Sequence, residues 1–300
     1  MNCLICHKPS VSEYHPKCLR ELFGVGWTPK INFTIADLPD KVSQTAGRMS
    51  ISGVQIKASV KIDEQSKELK IVPQGGTHIL KPEPAQYPEL PQNENFCMNL
   101  AESLKLRVPP HGLLKMADGK LCYVIKRFDR AADGGKIHKE DMAQILGLAP
   151  DTKYSGSMET IGKAIKANTG NTYNELYEFF SRVVFSFAIG NGDMHLKNWS
   201  LLRPLSAPIS LAPCYDFVCS KMYLPSEEDS ALTINGKKNK LVRRDFEKLA
   251  ETIGLEAKPV ANAIHDVINI GETALAAMLS VEKRAKIDAV LNERISRLAD

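Results

Sequence analysis

The 300-residue sequence has no apolar run long enough to cross a bilayer. The longest candidate, Val183–Ile189, has seven residues and contains Ser186, whereas a membrane helix needs roughly 18–20. There is no charged-then-apolar leader either. The chain opens MNCLICHKPS, so a cytoplasmic protein without a membrane partner is expected. An excess of one charge is also missing. Lys+Arg number 39 and Asp+Glu 35, a net charge of +4, too small to argue by itself for nucleic acid. No internal repeat is visible, and the phosphate-binding pattern G-x-G-x-x-G is absent. The 43% apolar and 25% charged fractions exclude wholesale disorder, collagen-like repeats and coiled coil, and a chain of this length can bury a large core. The seven cysteines are an odd count. Without a secretion signal they argue for reduced thiols or a metal site over a disulfide framework.

Three of those cysteines fall early, with a histidine between them: Cys3-x2-Cys6-x8-His15-x2-Cys18. Three thiolates and one imidazole can close a tetrahedral zinc shell. Buried thiols in a small N-terminal hairpin are the other reading. Residues 19–48 read as a linker with a small element, broken at Gly24, Gly26 and Pro29.

Further along, alternating runs predict strands at 58–62 and 68–72 around a turn at 63–67, and a third strand at 77–81. Four prolines in 82–91 predict a loop. A helix is expected from about Asn93, which can cap it. Two runs, 108–116 and 120–128, flank Asp118-Gly119 as a hairpin. Helices follow at about 139–146, 157–168 and 173–190, then short strands near 199–203 and 208–213, then amphipathic helices over 243–297. The last of the first three helices presents Leu176, Phe179, Phe180, Val183, Val184 and Phe187 on one wide stripe. The predicted division is a short Cys/His element with linker (1–48), a β-rich part (49–127) and an α-rich part (128–300), two lobes with a cleft at their junction.

The chemistry-bearing cluster is Asn191-Gly192-Asp193-Met194-His195-Leu196-Lys197-Asn198, followed by Asp216 in Cys214-Tyr215-Asp216-Phe217. In phosphoryl transfer an aspartate accepts the acceptor hydroxyl's proton, and an asparagine and a second aspartate hold magnesium. Magnesium takes few, hard oxygen ligands. Lys81, at a strand end, can reach phosphate oxygens. Glu94, near the next helix start, can orient it, as protein kinases pair lysine and glutamate. His195 is either a functional or a loop-packing histidine. The basic run Lys237-Lys238-Asn239-Lys240 with Arg243 and Arg244 lacks interleaved aromatics and reads as a solvated face.

In this order the segments SGVQIK (52–57), THILKP (77–82), NENFCMNLA (93–101), VIKRFDR (124–130), HKEDMAQILGLAPDTKY (138–154), NGDMHLKNWSLL (191–202) and YDF (215–217) resemble the HipA-like serine/threonine kinase toxins of bacterial toxin–antitoxin systems. With about fifty residues ahead of the nucleotide loop, the chain resembles the short HipT form. The resemblance implies an α+β, bilobal, protein-kinase-like fold with a β-rich N-lobe and an α-helical C-lobe. It implies ATP and magnesium as cofactors, Asp193 as catalytic base, and Asn198 and Asp216 as magnesium ligands. Lys81 would contact phosphates, and the backbone of Lys126, Arg127 and Phe128 would read adenine. Gly53, Lys57, Glu94 and His195 join the nucleotide site. Ser50 or Ser52 would be autophosphorylated, placing roughly −1.5 to −2 charges where ATP phosphates must lie. The implied partners are a helix-turn-helix antitoxin that brings any DNA contact, a small HipS-like subunit, and a tryptophanyl- or glutamyl-tRNA synthetase as substrate. A small-molecule kinase of the same fold and an inactive kinase-like binding module are the alternatives.

Overall fold

The computed structural model describes residues 1–38, 56–131, 133–270 and 279–300. Ser50, Ser52 and Gly53 lie outside the described residues. The described residues of Met1–Asn99, Pro109–Gly135 and Ala274–Ser280 form one compact unit, and those of Leu100–Val108, Lys136–Thr273 and Val281–Asp300 a second. Among the described residues no helix is long and apolar enough to cross a membrane.

The first unit is built on an antiparallel sheet of β1 (Ala58–Asp63), β2 (Glu68–Ile71), β3 (His78–Pro82), β4 (His111–Lys115) and β5 (Leu121–Lys126), in the order β2-β1-β3-β5-β4. The two hairpins form where turn residues interrupt alternating runs. In β1–β2, Oδ1 of Asp63 accepts from the amides of Gln65 and Ser66. In β4–β5, Met116 donates to Lys120 O at 2.8 Å across Asp118-Gly119. β3 is central, so Leu80, Lys81 and Pro82 are all buried. Helix α1 (Pro16–Phe23) was not foreseen within the expected linker. Proline at its first position has the right φ and lacks an amide that would go unpaired there, and Gly24 ends the helix.

Helix α2 (Leu90–Ser103) begins three residues before the expected start. Asn93 is therefore not its cap. Its amide donates to Glu89 O inside the first turn. Asn93, Glu94, Asn95 and Asn99 are all buried. Burial of such groups is tolerated only with partners. Glu94 meets Lys81, Asn95 bridges His7 and His111, and Asn99 donates to Asn95 O at 2.8 Å.

The second unit is helical around α5 (Thr172–Ala188), whose stripe of Leu176, Phe179, Phe180, Val183, Val184 and Phe187 is buried as the spacing predicted. Each such side chain contributes roughly 1.5–3 kcal/mol on leaving water. Packed in this unit are α4 (Met158–Asn168), α6 (Arg243–Ile253), α7 (Ala257–Ile268) and α8 (Val281–Ala299). A small sheet, β6 (His138–Asp141), β7 (Ser200–Arg203) and β8 (Ser210–Leu211), lies in the same unit. The helix expected over 139–146 is thus shorter. Residues 138–141 pair with β7, and α3 (Met142–Ile145) starts only after Asp141. The reciprocal bonds between Asp141 and Gln144, both 2.9 Å, form a capping box that sets this start. The basic run is partly neutralised within the chain. Lys237 pairs with the buried carboxylate of Asp245 at 2.8 Å, and Lys238 lies 3.7 Å from Glu228.

Candidate active site

In the first unit the sequence-predicted pair is present. Lys81 Nζ donates to Glu94 Oε1 at 2.5 Å, and the two residues are only 4% and 1% exposed. β3 delivers the lysine and α2 the glutamate. The ammonium also lies 5.5 Å from the centre of the Tyr123 ring on the neighbouring β5, within reach of a cation–π attraction. Lys57 is half-buried just ahead of β1. At the expected hinge, the amide of Lys126 donates to Pro110 O at 2.8 Å and that of Arg127 to Thr77 O at 2.9 Å. Both amides are therefore taken up in closing the sheet. The Arg127 side chain forks onto Asp129 through Nε (2.9 Å) and Nη2 (2.7 Å).

The second unit gathers Asp193, His195, Asn198 and Asp216. Just past the Ile189 cap of helix α5 lies Gly190, whose φ of +66° and crowding by Val290 and Lys221 leave no room for a Cβ. The loop that follows is internally tied. Asn198 Nδ2 donates to Asp193 O at 2.9 Å, and Asn191 Nδ2 donates to Asp216 O at 3.2 Å. Asn191 Oδ1 in turn accepts from the Asp193 amide at 3.3 Å. Asp216 sits at φ +58°, a conformation that aspartate tolerates better than most residues.

Burial pushes the His195 ring below its ordinary pKa, and the nearby Lys153 ammonium adds to that. The carboxylates of Asp193 and Asp216 both act in the opposite direction. The ring is therefore neutral at pH 7. Lys153 Nζ lies 2.9 Å from Nε2; with the ammonium donating, the ring proton sits on Nδ1. Asn191 ties the Asp193 and Asp216 backbones into one neighbourhood, and two carboxylates with the Asn198 amide are oxygen groups of the type magnesium takes.

Three contributors escaped the sequence reading. Tyr154 donates its hydroxyl to Asp193 Oδ1 at 2.6 Å and meets the His195 ring edge-on at 5.2 Å. Lys153 holds His195. Both close the quoted 138–154 segment, which was their only signal. Glu227 has none. Its carboxyl accepts from Ser220 Oγ at 2.5 Å, Ser220 accepts from the Gly192 amide at 2.9 Å, and burial raises the acid's pKa.

The profile of the HipA-like C-terminal domain matches residues 49–275, three-quarters of the chain and every candidate catalytic or nucleotide-site residue named above. The chain belongs to the HipA-like family. Among relatives, it is 35% identical over 238 residues to "Putative kinase Y4dM" of Sinorhizobium fredii, covering 74% of this chain and 58% of that protein. It is 30% identical over 256 residues to a Haemophilus influenzae protein described as "Putative kinase", covering 76% and 74%. This HipA-like chain therefore spans less than two thirds of Y4dM, though nearly three quarters of the Haemophilus protein. Among solved structures, HipA of Shewanella oneidensis, from a complex with HipB and operator DNA, superposes with a TM-score of 0.69 at 20% identity, covering 89% of this chain and 70% of that one. The Helicobacter pylori kinase CtkA gives 0.50 at 17% identity, covering 90% and 95%. At these identities the likeness is one of fold. It agrees with the mixed helix-and-sheet, kinase-like architecture expected from the sequence.

Proposed function

We propose that this HipA-like chain is an ATP-dependent serine/threonine protein kinase and the toxin of a bacterial toxin–antitoxin system, of the short HipT type. The observation that carries the reading is the buried Lys81–Glu94 pair. Burying two charges costs several kcal/mol per ion, and a hydrophobic pair would fill the same space. An ammonium on a central strand held by a buried carboxylate is the arrangement that positions kinase phosphates. Support also comes from Asp193, Asn198 and Asp216 gathering in one loop cluster, and from relatives described as kinases.

In this reading Lys81 orients the phosphates and Glu94 holds Lys81. Asn198 and Asp216 hold the divalent ion, which when bound offsets charge on the transferring phosphoryl group. Asp193 orients the acceptor hydroxyl and takes its proton, the role its carboxylate already rehearses with Tyr154. Lys57, the Lys126–Phe128 backbone and His195 complete the nucleotide site. Ser50 or Ser52 is the autophosphorylation site. The proposed acceptor is an aminoacyl-tRNA synthetase, tryptophanyl or glutamyl. The proposed partners are a helix-turn-helix antitoxin, by analogy with the HipB-bound Shewanella protein, and a small HipS-like subunit, with DNA reached only through the antitoxin.

The test is transfer of γ-labelled phosphate to the chain itself, followed by phosphopeptide mapping. Label on Ser50 or Ser52 that vanishes in Asp193→Asn is the expected result. Label that persists in that variant would overturn the assignment of the base.

A further inference from the structure

The phosphoryl-transfer reading leaves the N-terminal cysteines unused, yet the fold brings them together. One ligand atom from each of Cys3, Cys6, His15 and Cys18 lies within 4.8 Å of every other. From Zn–S of about 2.3 Å and Zn–N of about 2.0–2.1 Å, a tetrahedral shell separates two sulfurs by roughly 3.8 Å and a sulfur from a nitrogen by roughly 3.6 Å. His15 Nδ1 lies 3.4 Å from Cys6 Sγ and 3.8 Å from Cys18 Sγ, matching that edge length. All three thiols are free, with no disulfide among them.

A second, independent feature is the orientation of the histidine. His15 Nε2 lies 3.1 Å from the Pro9 carbonyl. A carbonyl can only accept, so Nε2 carries the proton and Nδ1 presents its lone pair to the sulfurs. Metal-ligating histidines are fixed in this way by a backbone carbonyl or carboxylate behind them. The sulfur of Cys3 is likewise met by a donor, the His15 amide at 3.4 Å. The local backbone supports the arrangement. The chain reverses at His7, with φ +59°, and Cys3 exchanges bonds with His7 and Lys8. Pro16 then starts α1 immediately after His15, which places Cys18 one turn into the helix.

We infer that Cys3, Cys6, His15 and Cys18 form a structural zinc site that clamps the N-terminal hairpin to α1. Zinc is the ion because three thiolates and one imidazole are a soft set that supplies four ligands and leaves no open position. The clamp lies against the shelf that bears the Lys81–Glu94 pair. Leu4 O accepts from the Leu113 amide of β4 at 3.0 Å, His7 Nε2 meets Asn95 of α2 at 2.5 Å, and Leu22 O of α1 meets His78 of β3 at 2.7 Å. Metal binding therefore stabilises the strand that delivers the lysine and the helix that delivers the glutamate.

The test uses the full-length chain purified under reducing conditions without added metal. Elemental mass spectrometry is expected to find one zinc per chain. The variants Cys6→Ser and Cys18→Ser are expected to lose at least tenfold of it, while Cys219→Ala, in the other unit, keeps it. A site variant could simply misfold, so two measurements are made on the wild type. Zinc should shield Cys3, Cys6 and Cys18 from iodoacetamide, and a chelator should expose those three and lower the melting temperature. Cobalt added after chelation should give the visible bands of a tetrahedral thiolate site. A zinc-free chain with iron in its place, a Cys3–Cys18 or Cys6–Cys18 disulfide in the reduced preparation, or equal alkylation with and without chelator would each overturn the inference.

Discussion

Tyr154 donates its hydroxyl to the Asp193 carboxylate at 2.6 Å, across 39 residues of chain and within one unit. Burial and the neighbouring Asp193 carboxylate both hold the phenol well above its ordinary pKa, so it remains a donor throughout the physiological range. An acceptor hydroxyl that uses Oδ1 of the proposed base must displace it. Lys153 reinforces the arrangement, lying 4.8 Å from the Tyr154 ring centre while bonding His195.

Tyr154→Phe should therefore favour acceptor binding. Removing one hydrogen bond, worth about 1 kcal/mol net, predicts a KM for the protein acceptor lower by roughly fivefold with the KM for ATP unchanged. Steady-state kinetics with both substrates varied distinguishes these. An unchanged acceptor KM would mean that the phenol is not in the acceptor's way.

The Lys81–Glu94 pair separates stability from chemistry. Glu94→Ala leaves a buried ammonium without its carboxylate and should cost about 3–5 kcal/mol, read as a lower urea midpoint. The double variant Lys81→Met/Glu94→Leu fills the same space with apolar groups and should regain most of that loss while labelled phosphate transfer stays absent. A Glu94→Ala protein that unfolds at the wild-type midpoint would show the pair to be energetically idle.

Much of this was legible because it is local or ordered along the chain. Lys81 could be placed at a strand end from its apolar neighbours Ile79 and Leu80. The α5 stripe followed from helical spacing, and the D-x4-N loop could be read directly. What failed depended on three-dimensional enclosure. Helix α2 hides Asn93, Asn95 and Asn99, and no periodicity rule expects buried amides. The partners of Asn95, His7 and His111, arrive from elsewhere in the sequence. Residues 139–141 were expected in a helix over 139–146, yet 138–141 pair with β7. The Asp141-x2-Gln144 capping box was visible in the sequence and marks the true start. Glu227 had no motif at all, since its role exists only through Ser220 and the close approach of Gly192.

Three buried histidines of the first unit, His7, His78 and His111, predict acid sensitivity. Burial pushes His7 down to about 4. Burial pushes His78 down to about 4, opposed by its bond to Leu22 O and aided by Lys126, and pushes His111 down to about 3, aided by His7. Their ordinary value is about 6.5. Below that pH the unfolded chain binds protons that the folded one refuses, so stability falls as pH drops from about 6.5 toward 4. The slope approaches roughly 1.4 kcal/mol per pH unit for each ring. Urea midpoints across this range should show the decline, and His111→Gln should flatten it. A variant with the wild-type slope would place the sensitivity in other groups.

The last prediction concerns the loop that bears the proposed base. A Cβ at Gly192 would lie 2.5 Å from the Glu227 carboxyl carbon and one of its oxygens, closer than packed atoms approach. That carboxyl is itself anchored by Ser220. Gly192→Ala must therefore either expel Glu227 or move the loop, and overpacking of this kind costs about 1–3 kcal/mol. Because Asp193 is the next residue, a displaced loop should lower phosphate transfer at least tenfold. If the collision is the cause, the double variant Gly192→Ala/Glu227→Ala relieves it and restores transfer to near the level of Glu227→Ala alone. A double variant no better than Gly192→Ala would instead locate the defect in the backbone freedom of residue 192. The urea midpoints of all three variants separate that outcome from simple unfolding.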